Sequence, residues 1–134
     1  KTPLAEDIRA DLEDIELSSK DNDGFIVGIA LNYGGRAEIT AACAEIARQC
    51  ADEFLLPEDI TESLIEEHLY TSTMPPLDMV IRPSGEQRLS NFMIWQAAYA
   101  EFVFMDVLWP DFNKKDLISA MDIFAERNRR FGGL

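Results

Sequence analysis

Residues 81–90 read IRPSGEQRLS, a decapeptide in which two arginines, two serines and a glycine crowd together. Arg82 and Arg88 offer forked guanidinium donors, the geometry that grips phosphate oxygens in pairs. Ser84 and Ser90 add hydroxyls, and Gly85, lacking a Cβ, lets the backbone come close to a ligand. Such residues in this order describe a phosphate or diphosphate site. They equally describe an exposed turn whose arginines pair with Glu86 and nearby acids, and the decapeptide alone does not decide between the two.

A phosphate loop must hang between rigid elements, and the flanks supply candidates. Residues 77–81 form a short apolar run that predicts a buried strand, and residues 91–99 predict a helix whose positive end would face the loop. The same plan occurs earlier. Residues 25–31 predict a strand buried on both faces, Asn32-Tyr33-Gly34-Gly35-Arg36 is a glycine turn, and Ile39, Cys43, Ile46 and Cys50 then repeat at helical spacing. Residues 6–19 predict an opening helix with Ile8, Leu12 and Ile15 on one face, closed by the turn Asp21-Asn22-Asp23-Gly24. Residues 57–68 predict another helix, with Pro57, Glu58 and Asp59 in its first turn. Residues 102–108 predict a third strand, stopped by Trp109-Pro110-Asp111. Asn113 then caps a last helix that carries Leu117, Ile118, Met121, Phe124 and Ala125 on one face.

Alternating strands and helices imply an α/β fold with a parallel central sheet flanked by helices, in which ligands bind beyond the carboxyl ends of the strands. Both glycine-containing turns lie at such ends. Three strands would leave a long apolar edge unpaired, so further strands are expected from a segment outside this sequence. Lys1 stands where a Met would open a chain, and the sequence is expected to begin inside a longer protein.

The 134 residues are 47% hydrophobic, enough for one domain with a real core. The greasiest stretch, residues 92–109, is interrupted by Gln96, Glu101 and Asp106, which speaks against a membrane span. A net charge of −13 speaks against nucleic acid as a partner. That charge is uneven: residues 1–67 hold 5 basic and 17 acidic side chains, residues 68–134 hold 7 and 8. Eight of the twelve bases are arginine, so arginine clusters in an acidic chain call for an explanation. Cys43 and Cys50 are too far apart along a helix to form a disulfide, and they are expected to fill the core as free thiols in a reducing cytoplasm. His68, Trp95 and Trp109 are expected to serve packing; Trp95 and Tyr99 could also line a dimer interface.

The run IRPSGEQRLSNFMIWQAAYAEFVFMDVLWPDF (81–112) resembles the signature region of the cis-prenyltransferases of the undecaprenyl diphosphate synthase type. LNYGGRAEI (31–39), HLYT (68–71) and RRFGG (129–133) are similar to further blocks of that family, so the likeness runs through nearly the whole chain, as the carboxyl-terminal part (residues 1–134) of one catalytic domain. The resemblance implies repeated condensation of isopentenyl diphosphate with an allylic diphosphate such as farnesyl diphosphate. The implied product is an undecaprenyl-type polyprenyl diphosphate, a lipid carrier for cell-wall synthesis. Arg82, Arg88, Leu89 and Ser90 match positions that hold isopentenyl diphosphate, Glu86 orients an arginine, and Glu101 matches the carboxylate that takes part in binding Mg²⁺. Arg130 and Gly132 match a terminal motif that reaches into the partner's site, implying a homodimer. The implied setting is the cytoplasm, with at most peripheral membrane contact through the lipid product.

Two departures temper the match. Pro83 replaces a usual Thr or Ser, so a hydroxyl and an N–H are lost. The family's amino-terminal Asp-Gly-Asn-Gly-Arg-like loop, with its essential Asp, has no counterpart in this sequence, so no catalytic residue is expected within it and the segment alone is expected to be inactive. The competing readings are a noncatalytic partner subunit of a heteromeric prenyltransferase and, last, an unrelated phosphate-binding module.

Overall fold

Residues 4–127 are described in a computed structural model of the chain, which divides into two units, residues 1–32 and 33–134. The first unit is built on α1 (Glu6–Ser19), the helix expected from its apolar spacing. Glu6 and Asp7 stand in its first turn, where the helix dipole favours acids. At its far end the Ser18 and Ser19 hydroxyls donate back to the Ile15 carbonyl at 3.0 and 2.8 Å. None of its residues is buried.

The expected strand at residues 25–31 is not formed. Phe25 is fully exposed, as are much of Ile26, Val27 and Ile29, and no ladder bonds engage the segment. An apolar, β-branched run supplies propensity, but a strand exists only where a neighbour accepts and donates its backbone hydrogen bonds, and the described residues offer it none.

In the second unit, α2 (Gly35–Ala51) follows the glycine turn. Its buried face is Gly35, Glu38, Ala42 and Ile46, rotated by one residue from the expected Ile39-Cys43-Ile46-Cys50 face. Cys43 is therefore exposed and Cys50 half-buried; both are free thiols, and Cys43 is not a core filler. The shift has a physical cause. Glu38, an acid, is drawn inward by hydrogen bonds, and this turns the helix so that the cysteine positions move outward.

The single helix expected over residues 57–68 is broken in two. A 3-10 turn at Pro57–Asp59 ends at Ile60, whose backbone is extended, and α3 (Glu62–Glu67) starts afresh. Side chains compete for the backbone here: the Leu56 N–H donates to the Asp59 carboxylate, and the Leu64 N–H to the Thr61 hydroxyl, which caps α3. α3 packs against α2.

β1 (Met79–Arg82) and β2 (Glu101–Phe104) pair in parallel, with Met79 opposite Glu101, Val80 opposite Phe102, Ile81 opposite Val103 and Arg82 opposite Phe104. They are the only two strands among the described residues. Between them the expected helix over residues 91–99 shrinks to a 3-10 turn at Gln96–Tyr99. α4 (Lys114–Ala125) packs on β2, burying Ala120 and Val103; full burial of a valine side chain stabilises by about 2 kcal/mol. Leu117, Ile118 and Met121 on α4 remain exposed.

The α4 start is the sharpest local signal. Asn113 Oδ1 accepts from the Lys115 N–H and the Asp116 carboxylate accepts from the Asn113 N–H, both at 2.9 Å, a reciprocal cap. Asn113→Ala should therefore lower the unfolding free energy by about 1 kcal/mol, read as a lower urea midpoint with an unchanged slope.

Candidate functional site

β1 ends at Arg82, but its pairing with the β2 side continues beyond both strands. The Met105 N–H donates to the Arg82 carbonyl at 3.0 Å, the Ser84 N–H to Val107 and the Gly85 N–H to Met105, each at 2.8 Å. Pro83, which has no N–H, takes no part in this series and lines a cavity beside the loop. Ser84 and Gly85 turn the chain with φ of 79° and 67°, and a Cβ at Gly85 would stand 3.0 Å from Asp106 Oδ1. Glycine at 85 suits this left-handed backbone, where a Cβ would press on the Asp106 carboxylate.

The loop brings Arg82, Glu86, Arg88 and Ser90 together. Arg82 Nη1 donates to the Arg88 carbonyl and to Ser90 Oγ, the latter at 3.1 Å. Glu86 Oε2 forms an ion pair with Arg88 Nη2 and lies 3.9 Å from Arg82 Nη2, so one carboxylate serves two guanidinium groups. Arg88 is 66% exposed and Arg82 27%, so the first faces solvent while the second is more enclosed.

A cavity of about 240 Å³ opens beside them. Arg82, Arg88 and Ser90 line it together with Leu89, Phe92, Phe102 and Phe104. The register explains the combination: Val80 pairs with Phe102 and Arg82 with Phe104, and alternation puts all four on one face of the strand pair. The Phe102 and Phe104 rings stack at 5.9 Å. Both readings of the decapeptide are thus present at once, an acid-paired turn and a lined cavity. Cationic donors beside an aromatic and aliphatic wall suit a small ligand that is anionic at one end and apolar at the other.

Glu101 sits elsewhere. It opens β2, opposite Met79, three residues before the Phe104 that pairs with Arg82, so the two positions are roughly 10 Å apart along the strands. Its carboxylate pairs with Arg127 Nη1 at 3.2 Å, and Arg127 Nη1 also donates to the Phe102 carbonyl at 2.6 Å. The described residues contain no group of three or more His, Cys, Asp or Glu able to share a metal ion. A single carboxylate oxygen suits Mg²⁺ chemically, but these residues alone do not build its site. Arg130 and Gly132 lie outside the described residues.

Two features, a buried acid and an exposed asparagine, escape the sequence pattern. Glu38, 1% exposed, accepts from the Tyr33 hydroxyl, from the Tyr70 N–H at 2.8 Å and from Gln96 Nε2 at 3.2 Å. Gln96 Nε2 also donates to Thr71 Oγ1 at 2.9 Å, so this carboxylate ties α2, the loop after α3 and the 3-10 turn before β2. Burial, and then the bond to Glu38, push the Tyr33 hydroxyl well above the ordinary tyrosine range. The second feature is Asn91, whose carbonyl and side chain accept from the Gly35 and Arg36 amides at 2.7 and 2.9 Å. The only available signal for Glu38 was an acid one turn before Ala42 and two before Ile46. His68 is a packing residue here, its ring bonded to the Leu64 carbonyl and the Gln49 side chain at 2.8 and 2.9 Å.

The family model "Putative undecaprenyl diphosphate synthase" matches residues 1–132. The chain belongs to this cis-prenyltransferase family. It is 53% identical over 117 residues to the decaprenyl diphosphate synthase of Mycobacterium tuberculosis, covering 87% of this chain and 40% of that protein. To the isoprenyl transferase of Streptococcus mutans it is 54% identical over 120 residues, covering 87% and 48%. The crystal structure of lavandulyl diphosphate synthase from Lavandula x intermedia in complex with dimethylallyl diphosphate superposes with a TM-score of 0.92 at 38% identity, over 97% of this chain and 56% of that one. The chain thus spans less than half the length of the curated relatives it matches. No described helix is long and apolar enough to cross a membrane.

Because Glu38 joins three segments of this prenyltransferase unit, Glu38→Ala should lower its unfolding free energy by about 3 kcal/mol. Glu13→Ala on exposed α1 should stay within about 0.5 kcal/mol, the pair being compared by urea denaturation.

Proposed function

We propose that this chain supplies the isopentenyl diphosphate site of a cis-prenyl chain-elongating enzyme. In that reaction an allylic diphosphate such as farnesyl diphosphate is condensed repeatedly with isopentenyl diphosphate toward an undecaprenyl-type product. The observation that carries the proposal is the cavity that sets Arg82, Arg88 and Ser90 beside Leu89, Phe92, Phe102 and Phe104. Isopentenyl diphosphate has the matching halves, a multiply charged head and a five-carbon apolar tail.

In each round the allylic carbon–oxygen bond breaks, diphosphate leaving with the electron pair. The alkene carbon of isopentenyl diphosphate bonds to the allylic carbon, and a proton is lost from the carbon next to the cation so formed. This chain's task is to bind and orient. Arg82 and Arg88 hold the diphosphate by charged, paired hydrogen bonds, the Ser90 hydroxyl fixes its rotation, and the phenylalanines exclude water from the alkene. Glu86 keeps the two guanidinium groups facing the same space. Mg²⁺ is the proposed cofactor, with Glu101 contributing one of its oxygens.

The allylic site and the catalytic Asp belong to other parts of the intact protein in this proposal. A homodimer is proposed as well, supported by the exposed Leu117, Ile118 and Met121 of α4, with Arg130 and Gly132 reaching into the partner's site. The proposed setting is the cytoplasm, with contact to the membrane through the lipid product.

Arg82→Ala and Arg88→Ala in the intact protein should each lower kcat/KM for isopentenyl diphosphate by about 2 kcal/mol of transition-state stabilisation, a factor of about 30. Incorporation of labelled isopentenyl diphosphate into polyprenyl product measures it, and unchanged steady-state constants in both variants would rule the assignment out.

A further inference from the structure

Asn91 belongs to no helix or strand, yet its neighbours Ser90 and Phe92 both line the cavity. Its backbone is left-handed, with φ of 64°, and so are those of Ser90 at 49° and Met93 at 45°. Three non-glycine residues hold that conformation within one loop only where the surroundings over-determine it.

Here the surroundings are the first turn of α2. The Gly35 N–H donates to the Asn91 carbonyl at 2.7 Å and the Arg36 N–H to Asn91 Oδ1 at 2.9 Å. Amides of a helix's first turn have no carbonyl to bond within the helix, so Asn91 caps α2 from 55 residues further along the chain. The approach is tight. A Cβ at Gly34 would lie 2.8 Å from Asn91 Nδ2, and one at Gly35 3.2 Å from the Asn91 carbonyl. On either side of this clamp, Ser90 Oγ receives Arg82, and the Phe92 ring meets Tyr33 edge-on at 5.6 Å.

We propose that Asn91 is a positioning residue for isopentenyl diphosphate. By fixing residues 90–92 against the start of α2, it sets where the Ser90 hydroxyl meets the diphosphate and where Phe92 meets the apolar tail. The inference rests on the functional reading above and extends it to a residue that does not line the cavity.

Asn91→Gly tests it in the intact protein, because glycine keeps the left-handed backbone accessible while removing the side-chain acceptor. The KM for isopentenyl diphosphate should rise about tenfold, while kcat and the KM for the allylic diphosphate stay within about twofold. Asn91→Asp keeps an oxygen acceptor at the helix start and should bring the KM back to within about threefold of the parent. Gly34→Ala presses on the same clamp from the other side and should raise the same KM selectively.

An unchanged KM in Asn91→Gly, an equal rise for both substrates, or an Asp variant as impaired as the Gly variant would overturn the inference. Arg82→Ala run in parallel separates the two levels. If it is impaired while Asn91→Gly matches the parent, the clamp alone fails; if both match the parent, the assignment of the cavity fails with it.

Discussion

The parallel pairing of β1 and β2 is the constraint on which the site depends. Four residues on each side are a small sheet, yet the ladder does not stop with them: amides of Met105, Ser84 and Gly85 extend it past Arg82. The bend that follows is therefore held on its inner edge by backbone bonds to the β2 side, and the arginines leave a fixed frame. The same register turns Phe102 and Phe104 toward Val80 and Arg82. A slip of one residue would send the aromatic pair to the opposite face and leave the guanidinium groups facing a different wall.

Elements whose making is local were legible in the sequence. α1 runs over the residues its spacing predicts, and Asn113 caps α4 through its own neighbours. The decapeptide was also legible as a place where arginines, a hydroxyl and a glycine gather, and the family blocks placed the whole chain. Elements that depend on distant partners were not. The run from Phe25 has strand composition but no neighbour among the described residues, and the sequence after Ser90 has helical composition but spends its polar groups on α2. Cys43 looked like core because periodicity cannot tell that Glu38, bonded to segments 32 and 58 residues away, would take the inward face.

Glu101 shows the complementary difficulty. Its likeness to a family position suggested a metal ligand. The structure supplies an ion pair, with Arg127, and places the carboxylate at the strand end away from the arginine loop. Both descriptions concern the same carboxylate, and among the described residues it is Arg127 that meets it.

Glu86 gives the arginine loop a resident counter-ion. Because its carboxylate already occupies Arg88 and leans toward Arg82, an incoming anion does not meet bare guanidinium groups; it must take the place of a tethered competitor. Occupancy is then an exchange rather than a simple addition. A singly charged anion gains little by trading places with a carboxylate already at hand, whereas a diphosphate brings several charges and more oxygens to the same donors. The same carboxylate offsets the repulsion between two neighbouring cations.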